Sequence, residues 1–395
     1  MNEKKQDLDI GELNKEFQHE MEVVDVSDTV EEHVYRENNR KSNRRKNRNQ
    51  KKYKKITPFR IVISVLCIII VLLIVAVAVF FYLRTRGEQQ LKENQTEETV
   101  SAPEEAVVED EGKLVVYKGE QYCYNENVIS ILCMGIDKTI QEEDTENVIG
   151  ENGQADTLFL AVLDTKSGKM SFLNISRDSM VDVNRYNVDG QYLGTEEMQI
   201  CLAYSYGDGK KKSCQNVAES VSRLLYGMPV NAYIAMDYSG ISVLNDEVGG
   251  VKVQVLEDLS TVDPALSKGA GVTLTGEQAH IYVRNRDTSE LDSNNDRMAR
   301  QRQYLLSFMS TVLQKTKEDI SIPVTLFRSA SDYMVTDIDV SEVTYLASRV
   351  LGTKFSEKDM YSVPGKVKMG DKYAEFYPDE ETLYESILNI FYEKQ

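Results

Sequence analysis

Residues 128–135 read VISILCMG, residues 157–163 TLFLAVL and residues 170–175 MSFLNI. Each is a short, nearly continuous apolar run, the pattern of a strand covered on both faces. The last two flank DTKSGK, where Gly168 supplies the turn, so they pair as a hairpin. Helix signals follow. Ser213 is expected to cap a helix running to about Leu225, with Val217, Val221, Leu224 and Leu225 on one face and Gly227 and Pro229 ending it. A short helix over residues 238–245 leads through two glycines into a strand over 251–255, Thr275 caps a helix over 277–284, and residues 298–313 read as a longer helix. The class is α/β, with helices over a mixed sheet. Beyond Pro323 a strand or two and further helices complete the same domain, and the turn-rich stretch 363–378 either belongs to that framework or is a loop that contacts an acceptor.

Outside this domain, position decides the class of protein. From Ile61 to Leu83 the chain reads IVISVLCIIIVLLIVAVAVFFYL without a charge, long enough at about 1.5 Å per residue to cross a hydrocarbon core of about 30 Å. A cleaved signal peptide would start earlier and end in small residues, whereas this run leaves into Arg84 and Arg86. Basic residues without an acid fill the stretch from Arg40 to Arg60, so the N-terminus is expected in the cytoplasm and the C-terminal domain outside the cell, a single-pass type II arrangement. The same basic stretch suits anionic lipid. The expected organisation is a cytoplasmic disordered tail with its basic juxtamembrane segment over residues 1–56, the membrane helix and flanks over 57–86, a self-repelling acidic linker over 87–112 and one extracellular domain over 113–395.

Of the formal net charge of −18, residues 1–60 contribute about +3 and Arg84 with Arg86 +2, which leaves the outer portion near −23. A nucleic-acid surface is excluded there, and the basic inner stretch has no helix-turn-helix pattern. Against that background Arg284, Arg286, Arg297, Arg300 and Arg302 fall within one stretch, VRNRDTSELDSNNDRMARQRQ. Converging guanidinium forks neutralise a pyrophosphate; the other reading is a solvated face paired with Asp287, Glu290, Asp292 and Asp296. His280 is the only histidine outside the tail, which holds His19 and His33, and its helical spacing faces the core. Carboxylates and arginines must then carry any catalysis. Asp137 follows one buried strand and Asp156 begins another, and strand ends are where open α/β sheets bind ligands. Such hard oxygen ligands suit Mg²⁺ or Mn²⁺ held jointly with phosphate oxygens, although an Asp after a strand is also a common turn former. Arg177 lies at the far end of the hairpin partner of the Asp156 strand, so antiparallel pairing brings the two to one rim. Cys201 and Cys214 flank the YSYGDGKKK loop and either close it with a disulfide or remain free; Tyr204 and Tyr282 either pack or line a sugar groove.

GID at 135–137, QADTLFLAVLD at 154–164, ISRDSM at 175–180, LAYSYG at 202–207, DEVGGVKV at 246–253, LTGEQAHIYVRNR at 274–286 and DRMARQRQ at 296–303 occur in an order that resembles the LytR-CpsA-Psr family. The resemblance implies an α-β-α fold with an apolar pocket for a prenyl chain. It further implies an enzyme that takes a glycopolymer linked to undecaprenyl pyrophosphate and transfers it as a phosphodiester to a peptidoglycan hydroxyl, with pyrophosphatase activity as a side reaction. By position, Asp137 and Asp156 match the Mg²⁺-associated acids, Arg177, Arg284 and Arg286 the arginines around the pyrophosphate, and Arg297, Arg300 and Gln301 the later arginine motif. Asp178 is a candidate base or an orienting group for Arg177. In two places the chain departs from the family pattern, with Gln154 for an expected Arg and Gln199 for an expected Lys, each removing a charge from the phosphate site. The alternative is a membrane-anchored binder or regulator of lipid-linked polymers that does not transfer them.

The one-sided basic flank makes the topology testable. Protease added to intact protoplasts is expected to degrade the chain beyond Gly87 and to spare a tag placed before Lys41. Protection of the C-terminal part would reverse the orientation.

Overall fold

The computed structural model describes residues 58–140, 149–150, 152–285, 293–353, 357–370 and 372–395. The tail and its basic juxtamembrane segment, residues 1–56, lie outside these residues. One helix, α1 (Pro58–Glu93), carries the apolar run, and from Val65 it is long and apolar enough to cross a membrane. Its last turns enter the domain. Gly87 passes so close to the backbone of Ser341 that a Cβ there would lie 2.2 Å from the Ser341 carbonyl oxygen. Leu91 is fully buried with Ile129, Ala232, Ile338 and Tyr345, and the Asn231 side chain donates to its carbonyl at 2.9 Å.

The stretch 87–112, expected as a free linker, is therefore ordered against the domain. Beyond α1, Thr96 donates to the Val230 carbonyl (3.1 Å), Ser101 donates to that of Tyr226 (2.9 Å), and Val100 and Ala102 pack on the core. The apolar residues spaced among its glutamates give it enough buried area to offset the ordering entropy. It then becomes β1 (Ala106–Glu109), which with β2 (Leu114–Tyr117) and β3 (Glu120–Tyr124) begins a small antiparallel sheet.

The central sheet starts with β4 (Val128–Ile136), β5 (Ala155–Asp164) and β6 (Met170–Ile175), an antiparallel run whose last turn has Gly168 at φ 73°. An antiparallel hairpin of β7 (Met180–Tyr186) and β8 (Tyr192–Gln199), with a register shift between Arg185 and Tyr186, precedes helix α2 (Lys211–Leu224). Ser213 does not cap α2; it sits inside the first turn, its hydroxyl donating to the Tyr204 carbonyl at 2.6 Å. Strand β9 (Ala232–Asp237) then pairs in parallel with β4, and α3 (Tyr238–Glu247) starts directly from it, capped by Asp237. A separate lobe follows, with β10 (Val251–Gln254), β11 (Gly271–Leu274) and α4 (Gly276–Arg284), the last opened by the Thr275–Gln278 capping box. Helices α5 (Ser293–Glu318) and α6 (Ile322–Ser329), strand β12 (Met334–Thr336) and helix α7 (Val340–Val350) lead to β13 (Met360–Ser362). The hairpin of β14 (Gly365–Met369) and β15 (Ala374–Pro378), helix α8 (Glu380–Phe391) and β16 (Tyr392–Lys394) finish the chain. The six-stranded order is β12-β9-β4-β5-β6-β13, and β16 closes the small sheet beside β3.

Alternation along β5 shows why the sheet is sandwiched. Leu158, Leu160 and Val162 pack in the cluster that includes Val217 and Val221 of α2 and Ile387 and Leu388 of α8. Phe159, Ala161 and Leu163 meet Leu305, Met309 and Leu346 from α5 and α7. Successive side chains point to opposite faces, so both faces must be apolar and both must be covered.

Where α1 meets α7, Asp339 caps the helix, pairs with Arg86 at 3.7 Å and shares a capping box with Glu342. Glu342 is 1% exposed, and its carboxyl is pushed up to about 7 by burial, with the charges of Asp339 and Asp337 adding to the shift. A folded pKa above the unfolded value of about 4.3 means that stability is fully present below the unfolded value and is lost as the pH rises through the folded one. Glu342→Gln keeps the acceptor for the Asp339 amide, so it is expected to raise the melting temperature by a few degrees at pH 8 and not at pH 5. An equal shift at both values in a thermal melt of the detergent-solubilised chain would show that ionisation of Glu342 is not the cause.

Candidate active site

The parallel pairing of β4 with β9 sets Ile136 opposite Asp237, so the residues that follow, Asp137 and Tyr238, leave adjacent strand ends. The antiparallel β5 begins at the same rim and brings Asp156; β6 ends there and delivers Arg177 and Asp178. Helix α4 adds His280, Ile281 and Arg284 on one face, and α5 adds Arg297. Together with Asn285 these side chains line a cavity of about 740 Å³.

Within it, Arg177 is held from several sides. Its Nη1 pairs with Asp156, its Nη2 donates to the Gln154 side-chain oxygen at 2.5 Å, and Cys201 Sγ lies 3.5 Å from Nη2. Asp178 Oδ1 stands 3.6 Å from Nε of the same guanidinium. Arg177 and Asp156 are only 28% and 15% exposed, so the pair sits in low dielectric, where charge-assisted hydrogen bonds are strongest. Asp137 Oδ1 accepts from the Gln154 amide at 2.7 Å. Gly153 makes that approach possible: its φ is +88°, and a Cβ there would press on Asp137 Oδ1 at 3.0 Å. Burial pushes the Asp156 carboxyl above the ordinary range against the pull of Arg177, and the Asp137 charge adds to the rise.

The expected site residues divide. Asp137, Asp156, Arg177, Asp178, Arg284 and Arg297 meet in the cavity. Arg286 lies outside the described residues. Arg300, expected with the substrate ligands, is instead fully buried: it pairs with Glu257 at 3.0 Å and donates to the carbonyls of Tyr282 and Asn285, closing the C-terminal end of α4. Gln301 donates to the Val283 carbonyl (3.1 Å) and stands 3.5 Å from the Thr157 hydroxyl, tying α5 to α4 and β5. Neither departure from the family pattern is an empty slot. Gln154 is an acceptor for Arg177, and Gln199 donates to the Ala374 carbonyl (2.6 Å) and to Asp178 Oδ1 (3.3 Å). Phe376 donates to the Asp178 carbonyl at 2.8 Å, so the β14–β15 hairpin braces the turn that carries Arg177.

Two alternatives left open by the sequence close, and one expectation, that His280 is packed in the core, is corrected. Tyr204 and Tyr282 are buried, bonded to the Gly209 carbonyl (2.7 Å) and to Gln303 (2.5 Å), and line no groove. Cys201 and Cys214 are buried free thiols, not a disulfide. His280 is not a packed core residue but part of the cavity wall, stacked on Tyr238. Tyr238 itself was missed because β9 was missed, although AYIAMD followed by a capping Asp237 is the signal of a strand running into a helix.

Solved structures share this fold. TagT bound to LI-WTA aligns at TM-score 0.51 and 19% identity, covering 72% of this chain and 97% of that one; protein gbs0355 from Streptococcus agalactiae aligns at 0.52 and 20%, covering 68% and 90%. In sequence, the chain is 27% identical over 267 residues to the polyisoprenyl-teichoic acid–peptidoglycan teichoic acid transferase TagV of Bacillus subtilis, 65% of this chain and 62% of that protein. It is 25% identical over 265 residues to TagU of Enterococcus faecalis, covering 67% and 76%. The chain thus spans less than two thirds of the length of TagV. The profile of the LytR_cpsA_psr family matches residues 79–390, most of the chain and all the elements that build the cavity, and on that match the chain belongs to the LytR-CpsA-Psr family.

Proposed function

We propose that this protein transfers a glycopolymer from undecaprenyl pyrophosphate to a hydroxyl of peptidoglycan, outside the membrane in which α1 anchors it. One observation carries the reading: a chain of net charge −18 gathers Arg177, Arg284 and Arg297 around two carboxylates at a single sheet rim. Three guanidinium groups in one cavity suit a ligand with two linked phosphates. The names of TagV and TagU, transferases of polyisoprenyl-linked teichoic acid to peptidoglycan, support the same class of donor and acceptor.

In the proposed reaction the acceptor oxygen forms a bond to the phosphorus that carries the polymer. The bridging P–O bond breaks, undecaprenyl phosphate leaves with the electron pair, and the acceptor proton passes to a base. Arg177, Arg284 and Arg297 oppose the charge that builds on the bridging and equatorial oxygens. Asp178 orients Arg177 from its Nε side. Asp137 and Asp156 are the residues that would hold a divalent cation: both carboxylates line the cavity, and the Asp137 charge acts on Asp156. Mg²⁺ is commonly held by one or two carboxylates plus phosphate oxygens and waters. Bound there, Mg²⁺ or Mn²⁺ would supply further neutralisation of the bridging oxygens.

Asp137→Ala and Asp156→Ala are each expected to lower divalent-dependent transfer about 100-fold or more with the fold intact, since rim carboxylates add little to packing. Wild-type turnover by both variants in saturating Mg²⁺ would sink the assignment. Gln154→Arg separates the family expectation from the geometry. The added charge should tighten pyrophosphate binding if position 154 faced the phosphate. With Gln154 serving as an acceptor for Arg177, the variant is expected to weaken binding about tenfold, the loss of one hydrogen bond to a charged group plus a like charge beside it. Calorimetric titration with a prenyl pyrophosphate gives the sign.

A further inference from the structure

His280 combines three observations that its sequence context does not announce. Its ring stacks on Tyr238 with centroids 5.8 Å apart and planes at 26°. The side chain forms part of the cavity wall, one helical turn from Arg284, whose guanidinium carbon lies 5.2 Å from the centroid of the same Tyr238 ring. Its Nε2 is enclosed and has no hydrogen-bond partner among the described residues. Buried polar atoms are nearly always paired, so an exception in a cavity wall points to a ligand that supplies the missing partner.

Building on the pyrophosphate reading above, we propose that His280 is a phosphate ligand of this cavity, with Nε2 donating to a nonbridging phosphate oxygen from the imidazolium form. Burial and the Arg284 charge hold the imidazole below its usual range, while Asp237 and Glu277 pull the other way. The remaining charged groups of the wall are Asp137, Asp156, Arg177, Asp178 and Arg297. A pyrophosphate diester brings two negative charges against that wall, which offsets Arg284 and favours the charged imidazole. Binding therefore takes up a proton. The pKa is lower in the free protein than in the complex, so affinity rises as pH falls between the two values and is flat outside them.

The test is titration calorimetry of the full chain in detergent, at saturating Mg²⁺. The probe is a synthetic pyrophosphate diester with a short prenyl chain on one phosphate and a sugar on the other. The diester has no proton to exchange near neutral pH, so heats measured in buffers of different ionisation enthalpy count the protons taken up by the protein. Wild type is expected to take up a large fraction of one proton near pH 7, with Kd falling by up to about tenfold per pH unit between pH 8 and 6. His280→Gln is expected to bind with little uptake and a nearly flat profile. A purely structural role would instead weaken the variant equally at every pH. Binding by wild type without proton uptake, or with the same uptake and slope in the variant, overturns the histidine assignment and leaves the pyrophosphate reading standing. No binding by wild type at any pH overturns both.

Discussion

The ion pair between Arg177 and Asp156 is the contact on which the cavity depends. It is made by residues at the open end of a two-strand ladder: β5 and β6 pair from Leu163 with Met170 to Leu158 with Ile175, and the side chains just beyond the last rung meet. The sheet thus sets the distance, and the pair in turn fixes the guanidinium that Gln154, Cys201 and Asp178 also contact. A partly buried pair of this kind is weak evidence for stability, because desolvation offsets much of its attraction. Its more telling effect is geometric. It holds a cation facing into the cavity, in a wall where Asp156 would otherwise be pushed still further toward its neutral form.

That part of the site was legible in the sequence because it follows from local rules. Two apolar runs around a glycine turn make a hairpin, and a hairpin puts its two open ends side by side. Strand β9 escaped because its parallel partner β4 lies about a hundred residues away, and no short-range pattern reports such a pairing; with it went Tyr238 and the true position of His280. Arg300 escaped for another reason. Guanidinium groups are almost never buried unless paired, so a sequence that clusters arginines is read as turning them all toward a ligand. Here one of them turns inward and holds the end of α4, the helix that presents Arg284. The acidic stretch after α1 misled by composition, since its glutamates outweigh the few apolar residues that dock.

Gln154 and Gln199 show how a substitution against a family pattern can be absorbed. A cation at position 154 would repel Arg177 where an amide oxygen attracts it, and an amide at 199 bridges Asp178 to the β14–β15 hairpin. Both glutamines act on the turn that carries Arg177 and Asp178, Gln154 through the guanidinium and Gln199 through the carboxylate. The C-terminal hairpin, in which the sequence shows no catalytic pattern, is thereby part of what keeps that turn in place.

Helix α1 enters the domain without a break, and the fit of Gly87 against Ser341 and of Leu91 into the core leaves it no hinge. From Leu83, where the uncharged run ends, to Leu91 is about 12 Å of helix at 1.5 Å per residue. The domain is in effect keyed to a shaft. One residue more or fewer between those points would turn it by about 100° around the axis, so the length of this short segment sets the compass bearing of the cavity relative to the apolar helix.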